Sequence, residues 1–278
     1  MNALARYAVF GHPIAHSLSP RLHALFAAQT GVALAYTAIA AAPEAFAGAV
    51  QDFFAGGGCG ANVTLPHKAA AFALADARTP TAQRLGVANV LTRLADGRIE
   101  ADSNDGAGML ADLRGRHRLD PTGRAVLLLG AGGAARAAAF ALLDARVASL
   151  TIANRTPARA QALADALAAP GQVRLARWGE LDQHGAFDLI VNATSAGVQH
   201  VALVLPASLV QARTCAYDLS YGPAAQPFVA WAQAAGAALA ADGLGMLVET
   251  AAAAFERWHG VRPDVDAAFT ALRAGIRP

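Results

Sequence analysis

The stretch NVTLPHK, residues 62–68, ends on the only lysine of a 278-residue chain. The other 21 residues of the lysine and arginine total are arginines. A guanidinium stays protonated at any working pH and clamps anions, whereas an ammonium can be tuned to release and recover a proton. Lys68 is therefore a candidate proton donor or acceptor. A second chemical signal is LLLGAGGAAR (127–136), in which an apolar run meets Gly130, Ala131, Gly132, Gly133 and Ala134. Glycines between a strand and a helix bring a pyrophosphate close to backbone N–H groups at the positive end of that helix. Ala135 stands where the usual pattern has its third glycine. The following strand decides the dinucleotide. An NAD site needs a carboxylate at its end for the ribose 2′-hydroxyl. Here the chain reads TIANRTPAR, with Asn154, Arg155, Thr156 and Arg159 and no acid. Two guanidiniums and a hydroxyl suit a 2′-phosphate, so NADP is the expected cofactor.

These groups need elements to hold them. RYAVFG (6–11) reads as a strand, and SPRLHALFAAQTG (19–31) as a helix with Ser19 as N-cap and Gly31 as stop. LAYTAIA (34–40) is a second strand, PEAFAGAVQDFFAGG (43–57) a helix, GANVTLP (60–66) a third strand and HKAAAFALAD (67–76) the next helix. Lys68 thus falls at a strand-to-helix junction, where α/β proteins place their chemistry. ADGR between two short strands within 88–103 predicts a hairpin. NDGAGMLADLRGRH (104–117) is predicted helical, and LDPTGR (119–124) reads as a break. From 125 the alternation of strand and helix restarts, with strands at 149–155, 173–178, 187–194, 214–220 and 237–243 and closing helices at 245–260 and 264–276. Apolar strands spaced by helices predict a mostly parallel sheet buried on both faces.

Composition bounds the rest. Hydrophobic residues make up 55% and charged ones 15%, which describes a well-buried globule. A net charge of +2 gives no electrostatic reason to expect nucleic acid or an anionic membrane. Cys59 and Cys215 fit no metal spacing and read as small buried residues of a reducing compartment. No signal peptide or membrane span is expected, so the chain reads as cytoplasmic.

Further motifs join these: GHPIAHSLSP (11–20), GANVTLPHK (60–68), GVANVL (86–91), ADSNDG (101–106), NATSAG (192–197), YDLSY (217–221) and DGLGML (242–247). With the glycine turn and NRTPAR (154–159), they run in the order of the shikimate dehydrogenase family, which the chain resembles from end to end. The resemblance implies an α/β fold. An N-terminal α/β substrate domain, 1–105 with the C-terminal helices of 243–278 returning to it, would accompany a Rossmann-type NADP-binding domain, 106–242. It implies reversible, NADP-linked reduction of 3-dehydroshikimate to shikimate, a step of chorismate and aromatic amino acid biosynthesis. Lys68 and Asp105 match the family's catalytic pair. Ser17 and Ser19 match its carboxylate ligands, and Thr64, Asn89 and Asp105 its hydroxyl ligands. Tyr221 matches a further substrate contact, and Leu219 and Gly243 match cofactor contacts. Each residue also has an ordinary reading: Ser19 as a helix cap, Thr64 as a strand residue, Asn89 and Asp105 as turn residues. Shikimate or 3-dehydroshikimate is the expected partner, with the chain a monomer or homodimer.

The chain departs from the pattern in four places. Thr250 stands where the family has a substrate-binding glutamine, Val90 follows Asn89 where threonine is usual, and Asn104 precedes Asp105 where threonine is usual. The segment GVQHVALVLP (197–206) is unusually apolar. Quinate and aminoshikimate are therefore alternative substrates. A non-catalytic NADP-binding regulator and a dehydrogenase of another small hydroxy acid are the competing readings.

Overall fold

The structure, a computed structural model, describes residues 4–276 and divides into two compact units. One runs to Gly108 and resumes over Val248–Gly275; the other comprises Met109–Leu247 with Ile276. Residues 1–3 and 277–278 of the expected first domain lie outside the described residues.

The first unit begins with β1 (Ala5–Gly11), α1 (Ser19–Thr30), β2 (Leu34–Ala40), α2 (Phe46–Ala55), β3 (Gly58–Val63) and α3 (Lys68–Leu74). It continues with β4 (Ala77–Arg78), α4 (Pro80–Leu85), β5 (Val90–Arg93), β6 (Ile99–Asp102) and the start of α5 (Asp105–Gly115). Its six strands lie in the order β2-β1-β3-β5-β6-β4. β1 pairs in parallel with β2 and β3, whereas β5 runs antiparallel to both β3 and β6. The antiparallel pair is the hairpin expected at ADGR, and Gly97 takes the positive φ of 88° that its turn requires. Strands buried on both faces were expected throughout. β2 instead has Thr37, Ala38 and Ala40 exposed, because it is an edge strand with no neighbour beyond it among the described residues. Phe10 of β1 meets Phe46 and Phe53 edge-to-face at 6.0 and 5.7 Å, and these rings centre the core of this unit.

Two local expectations change. Ser19 is the first residue of α1 and Leu18 its N-cap; the hydroxyl that accepts a helix N–H is that of Ser17, from Ser19 at 3.3 Å. GANVTLP does not stay extended to Pro66. β3 ends at Val63, and the His67 N–H bonds the Thr64 carbonyl at 2.9 Å, turning the chain into α3.

The second unit carries β7 (Ala125–Leu129), α6 (Gly133–Asp144), β8 (Ser149–Ala153), α7 (Pro157–Leu167), β9 (Val173–Ala176) and β10 (Leu189–Asn192). β11 (Cys215–Asp218), α8 (Gln226–Ala234) and β12 (Leu239–Ala241) follow. All six strands are parallel, in the order β12-β11-β10-β7-β8-β9. Val126–Leu129 and Leu189–Val191 are buried, as apolar runs at the middle of a helix-covered sheet should be. The chain leaves β7 toward β8 on one side and returns to β10 on the other, so the strand order reverses between β7 and β10. The carboxyl ends of such neighbours are where open α/β sheets bind ligands. α9 (Leu244–His259) begins in this unit and ends in the first, and α10 (Val265–Gly275) belongs to the first. Among the described residues no helix is long and apolar enough to cross a membrane. Cys215 is buried as expected, whereas Cys59 is partly exposed.

Candidate active site

Lys68 is the first residue of α3, and two contacts fix the turn before it. The buried His67 ring stacks on Phe46 at 4.3 Å, and its Nε2 donates to the Ala41 carbonyl at 2.8 Å. Burial lowers the His67 pKa, so the ring serves as a neutral packing and hydrogen-bonding group. The Lys68 carbonyl accepts the Ala88 N–H at 2.9 Å, which ties α3 to the segment leading into β5.

That segment carries Asn89, 3% exposed, and the loop after β6 delivers Asp105 at the start of α5, 5% exposed. The Lys68 ammonium donates to Asp105 Oδ2 in an ion pair whose side chains are 14% and 8% exposed. Asn89 Nδ2 donates to Asp105 Oδ1 at 2.8 Å. Both carboxylate oxygens are thus engaged by different partners, and the ammonium keeps donors for a ligand oxygen. The expected pair and its amide neighbour, far apart in sequence, form one hydrogen-bonded cluster.

The other expected substrate residues divide between the units. Thr64, half-buried, sits on the turn before His67, its N–H bonded to the Phe10 carbonyl at 2.9 Å. Gly11 lies so near that a Cβ there would come within 2.6 Å of the Thr64 methyl. Ser17 and Ser19 lie together at the start of α1. Thr250 is buried in the part of α9 that belongs to this unit. Tyr221 belongs to the other unit, just before a short 3₁₀ turn, Gly222–Ala224. Asn104 departs from the family pattern and is not among the expected site residues. The structure puts it in the cluster: its Oδ1 accepts from Asn89 at 2.7 Å and its Nδ2 donates to the Thr250 carbonyl at 3.0 Å. Adjacency to Asp105 was the available signal, but no spacing rule could supply the partner in a distant helix.

In the second unit the glycine turn follows β7. Gly130 has φ 110°, and a Cβ there would meet the Ala193 carbonyl oxygen at 2.8 Å, so only glycine fits. Gly132 is exposed, and a Cβ there would meet nothing within 4 Å. Gly133 opens α6, whose first turn has no acid and whose N-cap makes no side-chain bond. Its leading N–H groups therefore remain for an anion. Ala131 and Ala134 are partly exposed beside them. After β8, Asn154 Nδ2 donates to the Thr156 carbonyl at 2.9 Å, closing the turn into α7. Arg155, Thr156 and Arg159 are exposed there, and among the described residues neither arginine has an acidic partner. This donor set fits a dinucleotide with a 2′-phosphate. Leu219 and Gly243 lie against each other, since a Cβ on Gly243 would come within 2.6 Å of the Leu219 carbonyl oxygen.

At the ends of β10 and β11, Asn192 Nδ2 donates to Asp218 Oδ2 at 2.7 Å, and the Ser220 N–H donates to Oδ1 at 2.7 Å. Burial pushes the Asp218 carboxyl up to about 7 despite these bonds.

The fold and these two sites define a two-unit, dinucleotide-dependent enzyme with a lysine–aspartate ion pair in its first unit. Family models account for the chain in three parts. The shikimate dehydrogenase substrate binding domain matches residues 9–91, shikimate/quinate 5-dehydrogenase matches 114–214, and the shikimate 5′-dehydrogenase C-terminal domain matches 243–273. Shikimate dehydrogenase (NADP(+)) of Xanthomonas campestris pv. campestris (strain B100) is 55% identical over 273 residues, covering 98% of this chain and 96% of that protein. Among solved structures, an Ael1 enzyme from Pseudomonas putida is 42% identical with a TM-score of 0.86, covering 96% of this chain and 98% of the other. Shikimate 5-dehydrogenase from Thermus thermophilus, in complex with NADP(H) and shikimate, is 36% identical with a TM-score of 0.85, covering 98% and 99%. The chain belongs to the shikimate dehydrogenase family.

Proposed function

We propose that this chain catalyses the NADP-dependent, reversible reduction of 3-dehydroshikimate to shikimate, with the first unit holding the substrate and the second the cofactor. The observation that carries the reading is the chain's single lysine paired with a buried aspartate whose other oxygen is held by Asn89. NADPH, when bound, supplies the hydride. The protein's own task is the oxygen of the C3 ketone, which gains negative charge as it is reduced. The Lys68 ammonium stabilises that charge and delivers the proton, becoming neutral; in oxidation the neutral amine takes it back. Asp105 holds the ammonium in place through Oδ2. Asn89 has both Nδ2 hydrogens committed to Asn104 and Asp105, so it meets a ring hydroxyl as an acceptor, through the Oδ1 lone pair not taken by the Asn104 N–H. Ser17 and Ser19 take the substrate carboxylate, and Thr64 takes a hydroxyl.

The cofactor is held by the turn Gly130–Ala134 at the start of α6, and Leu219 and Gly243 are further contacts to it. Asn154, Arg155, Thr156 and Arg159 receive the 2′-phosphate. The enzyme works in the cytoplasm as a monomer or homodimer. A non-catalytic regulator would have no use for a lysine and an aspartate held in this way.

Thr250 favours a second reading of substrate choice, because its side chain is shorter than the family's glutamine and leaves room for a differently substituted ring. Purified protein assayed with NADP or NAD on shikimate, quinate and aminoshikimate, followed by NADPH absorbance, separates the two. Highest kcat/KM with NADP and shikimate is expected; a preference for quinate or aminoshikimate establishes the second reading.

A further inference from the structure

Asn104 ties together three parts of the first unit. Its backbone N–H donates to Asn89 Oδ1 at 2.9 Å, and its Oδ1 accepts from Asn89 Nδ2 at 2.7 Å. These reciprocal bonds leave the Asn89 amide one orientation: oxygen toward a backbone donor, nitrogen toward the Asp105 carboxylate. The Asn104 Nδ2 donates to the carbonyl of Thr250 in α9 at 3.0 Å. A continuous chain of bonds thus runs from α9 through Asn104 and Asn89 to Asp105 and Lys68. Two of the sequence departures, Asn104 and Thr250, are joined in a single hydrogen bond.

We propose that Asn104 is a positioning residue for the proton-transfer pair: anchored on α9, it sets the Asn89 amide, which in turn holds Asp105 Oδ1 and leaves Oδ2 for Lys68. The inference rests on the assignment of Lys68 and Asp105 given above. A carboxylate turns easily about its terminal bond. A fixed donor on one oxygen is what keeps the other on the ammonium. Without the Asn104 side chain, Asn89 has a buried N–H with no acceptor, and only the backbone N–H of residue 104 is left to orient its amide toward Asp105.

The test is a double-mutant cycle on the full chain, with Asn104→Ala, Asn89→Ala and the double variant assayed for shikimate oxidation with NADP. Asn104→Ala should lower kcat by roughly two- to twelvefold, the equivalent of one neutral hydrogen bond, with KM for NADP unchanged. In the Asn89→Ala background the same substitution should change kcat by less than about twofold, because the link through which it acts is gone. Asn104→Leu, close in shape but without polar atoms, should behave like the alanine variant and provides the reading if alanine impairs folding. Unchanged kcat in both Asn104 variants overturns the proposal. So does an equal fall with and without Asn89, which would mean that Asn104 merely packs against α9. Lys68→Ala assayed alongside separates the two levels. If it is inactive while the Asn104 variants match wild type, only the positioning role fails; if it stays active, the proton-donor assignment fails.

Discussion

The two units prepare for their ligands in opposite ways. In the first, the polar side chains of the candidate site are already bonded to one another, from Lys68 and Asp105 through Asn89 and Asn104 to the backbone of α9. In the second, the donors are left unspent: the start of α6 has no side-chain cap, and Arg155 and Arg159 have no acidic partner among the described residues. On the proposed function, the difference follows from what each unit binds. A ring hydroxyl or ketone is a weak ligand, so affinity and rate depend on groups held in place beforehand. A phosphate is a strong anion that organises exposed guanidiniums and N–H groups on arrival.

The sharpest way to break this contrast is Lys68→Ala. It should lower turnover by about 10²–10⁴-fold, the usual weight of a general acid–base group, while NADP binding measured by calorimetry persists. A variant with half the wild-type rate would remove Lys68 from the mechanism. Arg155→Ala and Arg159→Ala are the converse experiment. Each should cut kcat/KM for NADP by roughly ten- to a hundredfold, the range of a hydrogen bond to a charged group, and leave the value for NAD nearly unchanged. Equal losses with both cofactors would show that these arginines do not read the 2′-phosphate.

Acid should act on the two units with opposite sign. In the first, His23 is fully buried against Tyr36, stacked at 3.9 Å, and burial pushes its pKa down to about 3. Burial also lowers His67 and His259. The unfolded chain then binds protons that the native unit refuses, so stability is full above the ordinary histidine pKa of about 6.5 and is lost as pH falls below it. In the second unit Asp218 is raised from 3.8 to about 7, so its native form binds a proton that the unfolded chain does not, and stability is lost as pH rises toward 7. Going from pH 7 to pH 5, His23 and Asp218 are each worth about 2 kcal/mol. Amide hydrogen exchange, corrected for its intrinsic pH dependence, should therefore show β1–β3 losing protection while β10 and β11 gain it. Parallel changes in both units, or the same acid loss in His23→Phe, would dispose of this account.

The smallest expected effect concerns Thr250. Thr250→Gln restores an amide and should lower KM for shikimate by a few-fold, up to about tenfold. If the position instead makes room for a larger ring, wild type will prefer quinate or aminoshikimate and the substitution will reverse that order. No change in any KM would leave position 250 as helix packing.

Several features were legible because they rest on local rules. The alternation of apolar strand and helix, the Asp-Gly hairpin and the glycine turn before α6 depend on backbone sterics and on burial pattern, both written within a few residues. The lone lysine was visible as chemistry for the same reason: its difference from arginine is a property of the side chain itself. Expectations about exact boundaries failed where a near neighbour competed for the same role. Ser19 reads as a cap by type, yet Ser17 accepts the helix N–H because α1 starts one residue earlier. Strand β3 stops short because Thr64 and His67 bond each other across the turn.

By itself the amino-acid order determined the α/β alternation, the absence of an acid after β8 and the presence of a single ammonium among guanidiniums, since each is a matter of residue type and near neighbours. Only the tertiary structure decided that β2 is an exposed edge, and that Lys68, Asn89, Asn104 and Asp105 share one set of hydrogen bonds anchored on α9. The physical reason is reach. A hydrogen bond needs its atoms within about 3 Å, and Asn104 and Thr250, 146 residues apart in sequence, come that close only once the chain has folded.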